Sequence, residues 1–204
     1  MIKRMEQKQV IISIGREFGS AGHEIAERIA KKFALPLYDY NLLREIAGEK
    51  KVNVANLEPY DEVPKKGFGY RTVRGYSNSP QENIAYMQFD FLKKKAAEGE
   101  SFVIVGRCSE EALKEYKSLI TIFVLGDMEH KIARIRKLHN LSEKDAEEMV
   151  IEQDKKRKAY HNYFCEGKWG DSRNYELSIN SSRLGLDGTT EVLEEYINKR
   201  IKML

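Results

Sequence analysis

The sequence has few of the features that mark disulfide-stapled, membrane or nucleic-acid-binding proteins. It contains only 2 cysteines in 204 residues, so Cys108 and Cys165 are expected to be buried or incidental thiols of a reducing compartment. No apolar run approaches the roughly 20 residues of a membrane span, and the polar opening does not resemble an export signal. A net charge of +3 excludes the broad basic surface of a nucleic-acid binder. We therefore expect a cytoplasmic protein that binds neither nucleic acid nor membrane.

Proline and histidine are also sparse, with 4 of each. With few prolines and 41% apolar residues, the chain can bury one core without splitting, so we expect a single domain over residues 1–204. The histidines lack the spacing of metal ligands, and the sequence therefore predicts no zinc site. They are His23, His130, His139 and His161.

Residues 10–25, VIISIGREFGSAGHEI, carry the clearest functional pattern. An apolar run typical of a strand ends at a glycine-rich turn, and a helical pattern follows directly. Such a turn lets backbone amides approach an anion, and the start of a helix favours negative charge. The glycines do not follow GxxxxGK[ST], because His23 and Glu24 stand after Gly22. The pattern predicts a cradle for a phosphate group, with an ordinary strand-to-helix turn as the alternative.

Apolar runs and helical patterns alternate along the rest of the chain, which is typical of an α/β protein with a mainly parallel sheet. In the first helix Ile25, Ile29 and Phe33 share one face. Asp127 and Ser142 are expected to cap helices. The predicted strands are about residues 10–14, 36–38, 102–105, 119–125 and 175–179. The predicted helices include about residues 20–33, 41–47, 81–98, 110–116, 142–163 and 190–201.

Residues 48–80 lack a clear period and are rich in lysine, glycine and tyrosine. We interpret them as a mobile flap or an added subelement beside the sheet. Its aromatic residues, among them Tyr60, Phe68 and Tyr70, are suited to stack on a base or simply to anchor the loop. The segment has too little pattern to identify a ligand.

Polar side chains follow the predicted strands at the edge where parallel strands end, and ligands of open parallel sheets bind beyond this edge. An arginine there binds a phosphate with its planar fork, and a carboxylate orients a hydroxyl or a cation. With the glycine loop, these residues outline a cleft for two phosphate-bearing substrates. They are Asp39, Arg107, Asp127, Asn180, Ser181 and Ser182.

Simpler roles stay open for several of these residues. Asp39 is also suited to cap the helix that follows it. Arg107 is also suited to a surface ion pair, although its place directly after a buried strand and Gly106 argues against mere solvation. The basic run from Lys155 to Lys158 is equally suited to a solvated helix face.

The assembled motifs resemble the cytidylate kinase-like family, a relative of the P-loop nucleoside monophosphate kinases. The resemblance rests on ISIGREFGSAGHEIA, LYDYNLL, FVIVGRCSEEAL, EQDKKRKAYHNYF and YELSINSSRLGLD in this order, and it is weakest over residues 50–80. It implies an α/β fold of the P-loop NTPase type, a three-layer sandwich with helices on both faces of a five-stranded parallel sheet. It further implies a helical lid at about residues 142–174. The implied activity is transfer of the γ-phosphoryl group of ATP to a CMP- or dCMP-like acceptor, with Mg²⁺ as cofactor.

The resemblance also assigns a role to each candidate site residue by position. The donor phosphates are expected on a loop formed by Gly15, Arg16, Gly19, Ser20, Ala21, Gly22, His23 and Glu24. Asp39 and Arg107 are expected to bind the acceptor, and Asn180, Ser181 and Ser182 to lie near the adenine. Catalytic cations are expected at Arg134, Lys155 and Arg157, the last two on the lid helix. The expected partners are small-molecule nucleotides, and no pattern indicates an oligomeric state.

The chain departs from typical cytidylate kinases in and beside this site. His23 replaces a lysine, so a standing positive charge is missing, because an ordinary histidine is mostly neutral at pH 7. Glu24 replaces a hydroxyl residue, and its carboxylate is suited to Mg²⁺ but repels phosphate when no metal is bound. Glu17 adds negative charge that Arg16 is expected to offset in part. Cys108 replaces the acidic residue that follows the Gly-Arg pair.

Three functions are consistent with these features. The first is an ATP-dependent kinase for a nucleoside monophosphate. The second is a nucleotide- or anion-binding module whose altered loop has lost catalysis. The third is a dinucleotide-binding domain, since Asp39 follows the glycines at a suitable distance to hold a ribose, although GxGxxG is absent.

Overall fold

A computed structural model of the chain describes residues 8–50, 53–61, 72–73, 76–77 and 79–204. Its strands are β1 (Ile11–Arg16), β2 (Leu37–Tyr38), β3 (Thr72–Val73), β4 (Tyr76–Ser77), β5 (Phe102–Val105), β6 (Leu119–Leu125) and β7 (Leu177–Asn180). Its helices are α1 (Gly22–Phe33), α2 (Leu42–Lys50), α3 (Pro80–Ala97), α4 (Ser109–Ala112), α5 (Met128–His139), α6 (Glu143–Phe164) and α7 (Ser181–Met203). Three short 3₁₀ turns complete the described elements, at Val54–Asn56, Glu58–Tyr60 and Ser172–Asn174.

Five of the strands form one sheet in the order β2-β5-β1-β6-β7, and every neighbouring pair is parallel. β1 is the central strand, with Ile11 paired to Phe102 on one side and to Leu119 on the other. Parallel strands are covered on both faces, which explains why β5 is wholly apolar and why β1 and β6 are mostly so. The predicted five-stranded parallel sheet is confirmed.

Alternate residues of the central strands supply the two apolar layers of the sandwich. Ile12 and Ile14 pack with residues of α1 and α7, including Ile29 and Leu193. Ile11 belongs to the opposite layer, with residues of α2 and α3. The side-chain period of two along a strand therefore places one helix pair on each face, and the predicted three-layer sandwich is confirmed.

Helix α6 crosses from one packing partner to another along its length. Near its start Ala146 and Val150 pack against Ile135 of α5. Near its end Tyr160 and Cys165 pack with a separate small cluster that includes Cys108. Ser142 caps the helix as predicted, since its Oγ accepts a hydrogen bond from the amide of Asp145 at 3.2 Å. The helix thus links α5 to the turn that follows β5.

One prediction about a helix start was right only in part, and another was wrong. Asp127 stands at the N-cap position of α5 as predicted, but its side chain makes no capping bond, because Oδ1 accepts from Asn180 and Oδ2 pairs with Arg183. The last helix begins at Ser181 instead of near residue 190, since the side chain of Asn180 caps it by accepting from the amide of Ser182. Gly185, with a φ of 66°, interrupts this helix, which explains why the helical pattern emerges only beyond it.

The described parts of residues 48–80 contain little regular structure, in line with their weak period. They hold the end of α2, two of the 3₁₀ turns and the antiparallel ribbon β3–β4. The predicted aromatic residues Phe68 and Tyr70 lie outside the described residues. None of the helices in the described part of the chain combines the length and the apolar character that a membrane crossing requires.

Candidate active site

The turn between β1 and α1 has the backbone geometry that its glycines suggest. Gly19 adopts a φ of 82°, and a Cβ there would lie 3.0 Å from the Cβ of Lys131. A Cβ on Gly22 would lie 2.5 Å from the Cβ of Arg16, closer than two carbons can approach. Ala21 adopts a left-handed φ of 62° just before the helix starts. The chain therefore doubles back tightly enough to bring several amides near the first turn of α1, where an anion is favoured.

A largely buried network of charged side chains connects this loop to the neighbouring elements. The Nζ of Lys131 lies 2.9 Å from Glu17 Oε2 and 2.9 Å from Asp154 Oδ2. The same Glu17 oxygen accepts from the amide of Gly126 at 3.1 Å, and Asp154 Oδ1 accepts from the amide of Phe18 at 2.6 Å. The loop is thus tied to β6, α5 and α6 together.

Lys131 carries its charge in this network despite its burial. Burial lowers the pKa of the amine, but hydrogen bonds and attraction from Asp154 and Glu17 outweigh burial, and the pKa of Lys131 is raised above its ordinary value. Lys131 therefore offsets the negative charge of Glu17, a role for which the sequence had suggested Arg16 alone. Sequence reasoning missed this residue, although a lysine one turn before Ile135, on the apolar stripe of the helix, was a signal of a buried charge.

His23 and Asp39 are joined across the mouth of the loop. His23 Nε2 lies 2.8 Å from Asp39 Oδ2, and the imidazole stacks on the ring of Tyr40 at 5.8 Å. The other Asp39 oxygen accepts from the amide of Asn41 at 2.9 Å. Asp39 is 4% exposed, so its carboxylate both caps the turn before α2 and faces the loop. The capping role offered for Asp39 is thus supported in part by its bond to Asn41, and its role toward an acceptor stays a prediction.

Glu24 is paired with a cation from another element. Its Oε1 accepts from the guanidinium of Arg134 on α5. Both side chains remain partly exposed, 38% for Glu24 and 27% for Arg134. The negative charge that replaces the expected hydroxyl is therefore offset within the protein.

Arg107 is buried at the end of β5 and is not the partner of a surface ion pair. The residue is 4% exposed, and its Nη2 lies 2.6 Å from Asp61 Oδ2. Arg107 and Cys108 both adopt left-handed backbone angles, with φ of 58° and 52°. Two consecutive residues of this kind without a glycine are strained, a condition that often accompanies a functional turn. Asp61, which the sequence did not single out, connects this arginine to the segment before β3.

These side chains converge on one cleft of about 470 Å³ at the carboxyl edge of the sheet. Four arginines and four carboxylates line it, including Asp61 and Glu17. The volume suits a small polar molecule. The predicted site residues that line it are Arg16, Gly19, Ala21, Gly22, His23, Glu24, Asp39, Arg107, Arg134 and Arg157.

Comparison with known proteins identifies the family. A sequence model of the cytidylate kinase-like family matches residues 11–183, which include β1, the glycine loop and every residue of the cleft. The chain belongs to the cytidylate kinase-like family. A search of curated protein sequences finds no match to the chain.

Solved structures extend this family assignment to the fold. An uncharacterized protein from Eubacterium ventriosum is 39% identical, covers 93% of this chain and 99% of its own, and superposes with a TM-score of 0.75. A shikimate kinase from Bacteroides thetaiotaomicron is 15% identical over 93% of this chain and 98% of its own, with a TM-score of 0.55. A shikimate kinase from Acinetobacter baumannii, solved with shikimate, is 13% identical over 97% and 95%, with a TM-score of 0.51. The last two share the P-loop kinase fold with this member of the cytidylate kinase-like family.

The basic run on α6 separates into one residue that reaches the cleft and others that do not. The guanidinium of Arg157 lies 5.4 Å from the centre of the Phe18 ring and lines the cleft. Lys155, predicted beside it, is exposed and lies outside the cleft lining. Asp154, one helical turn before Arg157, faces the loop, as its bond to Phe18 shows. Helical phase therefore favours Arg157 over Lys155 as the residue that meets a ligand.

The three residues expected near the adenine do not line the cleft. Ser181 Oγ donates to the carbonyl of Ser20 at 2.7 Å. Ser182 Oγ accepts from the amide of Asp127, and Asn180 donates to the Asp127 carboxylate. These contacts brace the start of α7 against the loop and the end of β6. Gly15 and Ser20 likewise lie outside the cleft lining, since Ser20 is 2% exposed and Gly15 packs against Phe123.

Proposed function

We propose that this member of the cytidylate kinase-like family is an ATP-dependent kinase that phosphorylates a nucleoside monophosphate of the CMP or dCMP type. One observation carries the proposal: the glycine loop, Asp39 and the guanidinium groups of Arg107 and Arg157 line the same cleft. Phosphoryl transfer requires positioned substrates and cations that neutralise developing charge, more than covalent catalysis. This cleft offers both.

On the donor side, we assign the ATP phosphates to the loop from Gly15 to Glu24. Amides near the start of α1 would face the phosphates, with Arg16 and Arg157 as neighbouring cations. The segment 142–174 would serve as a lid, because Arg157 and Asp154 of α6 already contact the loop through Phe18. A closed lid would exclude water and so limit hydrolysis of ATP.

The donor set fits an Mg²⁺ ion held chiefly by nucleotide phosphates. Mg²⁺ prefers carboxylate oxygens and usually takes only one or two of them from the protein. Glu24 is the candidate ligand, since it lines the cleft and is 38% exposed beside Arg134. When bound, Mg²⁺ would supply positive charge that neutralises the nucleotide phosphates.

On the acceptor side, Asp39 and Arg107 would hold the nucleoside monophosphate. Arg107 would bind the acceptor phosphate with its fork, oriented by Asp61 at 2.6 Å. Asp39 is buried and held through both oxygens, so it would offer a fixed acceptor for a hydroxyl or amine of the substrate. We assign the flap over this side to residues 48–80, since Asp61 of this segment lines the cleft and pairs with Arg107.

A second candidate, a nucleotide- or anion-binding module without catalysis, is favoured by one observation. Among the described residues no lysine lines the cleft. His23 occupies the position of the lysine of typical cytidylate kinases, and its imidazole is bound to Asp39. The third candidate, a dinucleotide-binding domain, is wrong. Its sheet would place the second strand of the chain beside the first, whereas here β5 separates β2 from β1.

The test combines binding with turnover. Melting temperature is measured with ATP, GTP, CMP, dCMP, NAD and shikimate, each with and without Mg²⁺, because a bound ligand stabilises the folded chain. ADP formation is then followed with each acceptor. Mg²⁺-dependent ADP formation that requires CMP or dCMP supports the proposal. Nucleotide binding without turnover favours the binding module, and turnover with shikimate alone overturns the assignment of the acceptor.

A further inference from the structure

The two cysteines of the chain are distant in sequence but adjacent in the fold. Cys108 lies in the turn between β5 and α4, and Cys165 is the residue at which α6 ends. Both are buried, neither forms a disulfide, and they belong to one small packed cluster. A hydrogen bond joins the thiol of Cys165 to that of Cys108. The fold therefore brings two sulfur atoms together where the end of α6 meets the turn.

An imidazole and a carboxylate adjoin this thiol pair. His161, one helical turn before Cys165, places Nε2 at 2.6 Å from Glu110 Oε1 and is also hydrogen-bonded to the thiol of Cys165. Burial lowers the pKa of His161, but the bonds to Cys165 and Glu110 outweigh burial and raise the pKa to about 10. The imidazole is therefore positively charged at neutral pH, directly beside the sulfur of Cys165.

These neighbours favour the thiolate form of Cys165. A hydrogen bond from Cys108 and another from His161 lower the pKa of the Cys165 thiol, although burial and the charge of Glu110 oppose them. The thiolate is the form of cysteine that reacts with oxidants, and a cation beside the sulfur is typical of reactive cysteines. A second thiol in contact with such a thiolate is suited to resolve its oxidised form as a disulfide.

A small cavity lies between this pair and the cleft. Its lining includes Cys108 and His161, and it shares Arg107 and Arg157 with the lining of the cleft. The cavity measures about 20 Å³, which is about the space that one water molecule occupies. A small oxidant in the cleft is therefore separated from the thiol pair by little more than the side chains of these arginines.

The geometry points to a reversible disulfide between Cys108 and Cys165, formed by hydrogen peroxide and removed by a dithiol. The Cys165 thiolate attacks one oxygen of the peroxide, so that an S–O bond forms, the O–O bond breaks and hydroxide leaves, taking up a proton to become water. The Cys108 sulfur then attacks the sulfenic sulfur. The S–S bond forms, the S–O bond breaks, and a second water leaves with the proton of Cys108. Two thiols are thus oxidised by two electrons, and one peroxide is reduced to two water molecules.

This bond would fasten the end of α6 to the turn that carries Arg107. The same helix carries Arg157, so the disulfide would connect the supports of two arginines of the cleft. In a reducing compartment, disulfides are usually transient and respond to oxidants. The cysteines were expected from the sequence to be incidental, because no local pattern shows that they meet. An effect of the bond on turnover rests on the proposed function, whereas formation of the bond does not.

The test uses the full-length chain, reduced with dithiothreitol and then freed of it. After treatment with stoichiometric hydrogen peroxide, mass spectrometry of the intact chain should show the loss of two hydrogen atoms. Titration in denaturant should find neither thiol, and a protease digest should contain a peptide pair joined through Cys108 and Cys165. Dithiothreitol should restore both thiols. Two intact thiols after peroxide, added oxygen without a cross-link, or links only between separate chains would each overturn the proposal.

The unfolded chain shows whether the fold is responsible for the pairing. The wild-type chain is equilibrated with mixtures of reduced and oxidised glutathione, in buffer and in concentrated urea. In the folded chain the equilibrium constant for the disulfide should be about 30-fold higher or more, since this ratio corresponds to the smaller contributions that disulfides make to stability. Equal constants in the two conditions would show that the fold does not hold the thiols together, and would overturn the proposal without any variant.

Variants then assign the chemistry to residues. Cys108→Ser and Cys165→Ser should each form no disulfide within the chain. His161→Gln removes the cation beside Cys165 and should slow oxidation at pH 7 by about tenfold or more. His130→Gln, at an exposed position of α5, is the matched control and should react as the wild type does. Circular dichroism checks that each variant is folded. Equal oxidation rates in the two histidine variants would overturn the thiolate mechanism, and kinase activity plays no part in these measurements.

Discussion

The ion pairs that tie the glycine loop to α5 and α6 differ from those that lie on the wall of the cleft. Lys131 joins Glu17 and Asp154 where its own side chain is 5% exposed, and of these three residues only Glu17 lines the cleft. Arg134 pairs with Glu24 and Arg107 with Asp61, and all four of these residues line the cleft. We expect the first set to support the conformation of the loop and the second to supply the cations and carboxylates that a ligand would meet. Substitutions should therefore affect stability in the first set and ligand binding in the second.

The largest effect is expected for Lys131→Met. This change leaves Glu17 and Asp154 without their shared cation, and removal of one partner from a buried charge network costs about 3 kcal/mol or more. Urea denaturation of the variant measures the change in the free energy of unfolding. Lys137→Met, an exposed lysine of the same helix, is the matched control and should change stability by less than about 0.5 kcal/mol. If the two variants are equally stable, the network does not support the fold.

Arg107→Ala should mainly impair binding and phosphorylation of the acceptor. Loss of a fixed charged donor at a phosphate is expected to lower kcat/KM for the nucleoside monophosphate by about 100-fold or more, while the affinity for ATP stays near that of wild type. Steady-state kinetics with the best acceptor of the panel measure the effect. Arg107→Lys keeps the charge without the planar fork and should give an intermediate loss. An unchanged kcat/KM in the alanine variant would remove Arg107 from the acceptor site.

The pH dependence of the free energy of unfolding should show how much the charged Lys131 side chain contributes to stability. Burial lowers the pKa of Lys131, but bonds from Asp154 and Glu17 outweigh it and raise the pKa above the ordinary 10.5. A raised folded-state pKa contributes stability that is complete below about pH 10.5 and is lost as pH rises through the folded-state value. The stability difference between wild type and Lys131→Met should therefore be constant from pH 7 to about 10 and then shrink. A difference that grows above pH 10.5 would contradict this assignment.

Arg157→Ala and Lys155→Ala compare neighbouring positions of α6. Arg157 reaches the loop, so its removal should weaken Mg²⁺-dependent ATP turnover by about tenfold, within the range for a charge-assisted contact. Lys155 is exposed outside the cleft and should be replaceable without effect. For both variants, calorimetry measures the affinity for the nucleotide and ADP release measures turnover. Equal losses in the two variants would indicate a general electrostatic effect of the basic run.

The smallest effect is expected for His23→Lys. A lysine at this position keeps a partner for Asp39 and adds charge near the loop, so ATP affinity should stay the same or rise by no more than about tenfold, or 1.4 kcal/mol. His139→Lys adds the same charge elsewhere in the cleft lining and serves as control. Weaker ATP binding in His23→Lys alone would show that the bond between His23 and Asp39 is itself required.

The fold was predictable because its signals are local. The five apolar runs of the sheet needed no long-range information, since strands covered on both faces are continuously apolar. Helix starts were less predictable. The side chain of Asp127 is taken by Asn180, 53 positions away, and no local pattern reveals such a competitor.

The candidate site was predictable only where a residue directly follows a strand. Asp39 and Arg107 were found in this way, because the carboxyl ends of parallel strands share one edge. Lys131 and Glu17 are 114 positions apart, and Phe18 and Asp154 are 136 apart, so their contacts depend on tertiary packing alone. Asp61 was missed because its segment has no clear period.

The bonds of Asp154 couple the position of α6 to that of the glycine loop. Asp154 accepts from the amide of Phe18 and pairs with Lys131, which in turn holds Glu17 of the same loop. A helix rises about 1.5 Å per residue, so the part of α6 from Asp154 to its last residue, Phe164, is about 15 Å long. A tilt of this part that moves Asp154 away from the loop would break both bonds in the same movement. Displacement of the helix and loosening of the loop would then occur as one event.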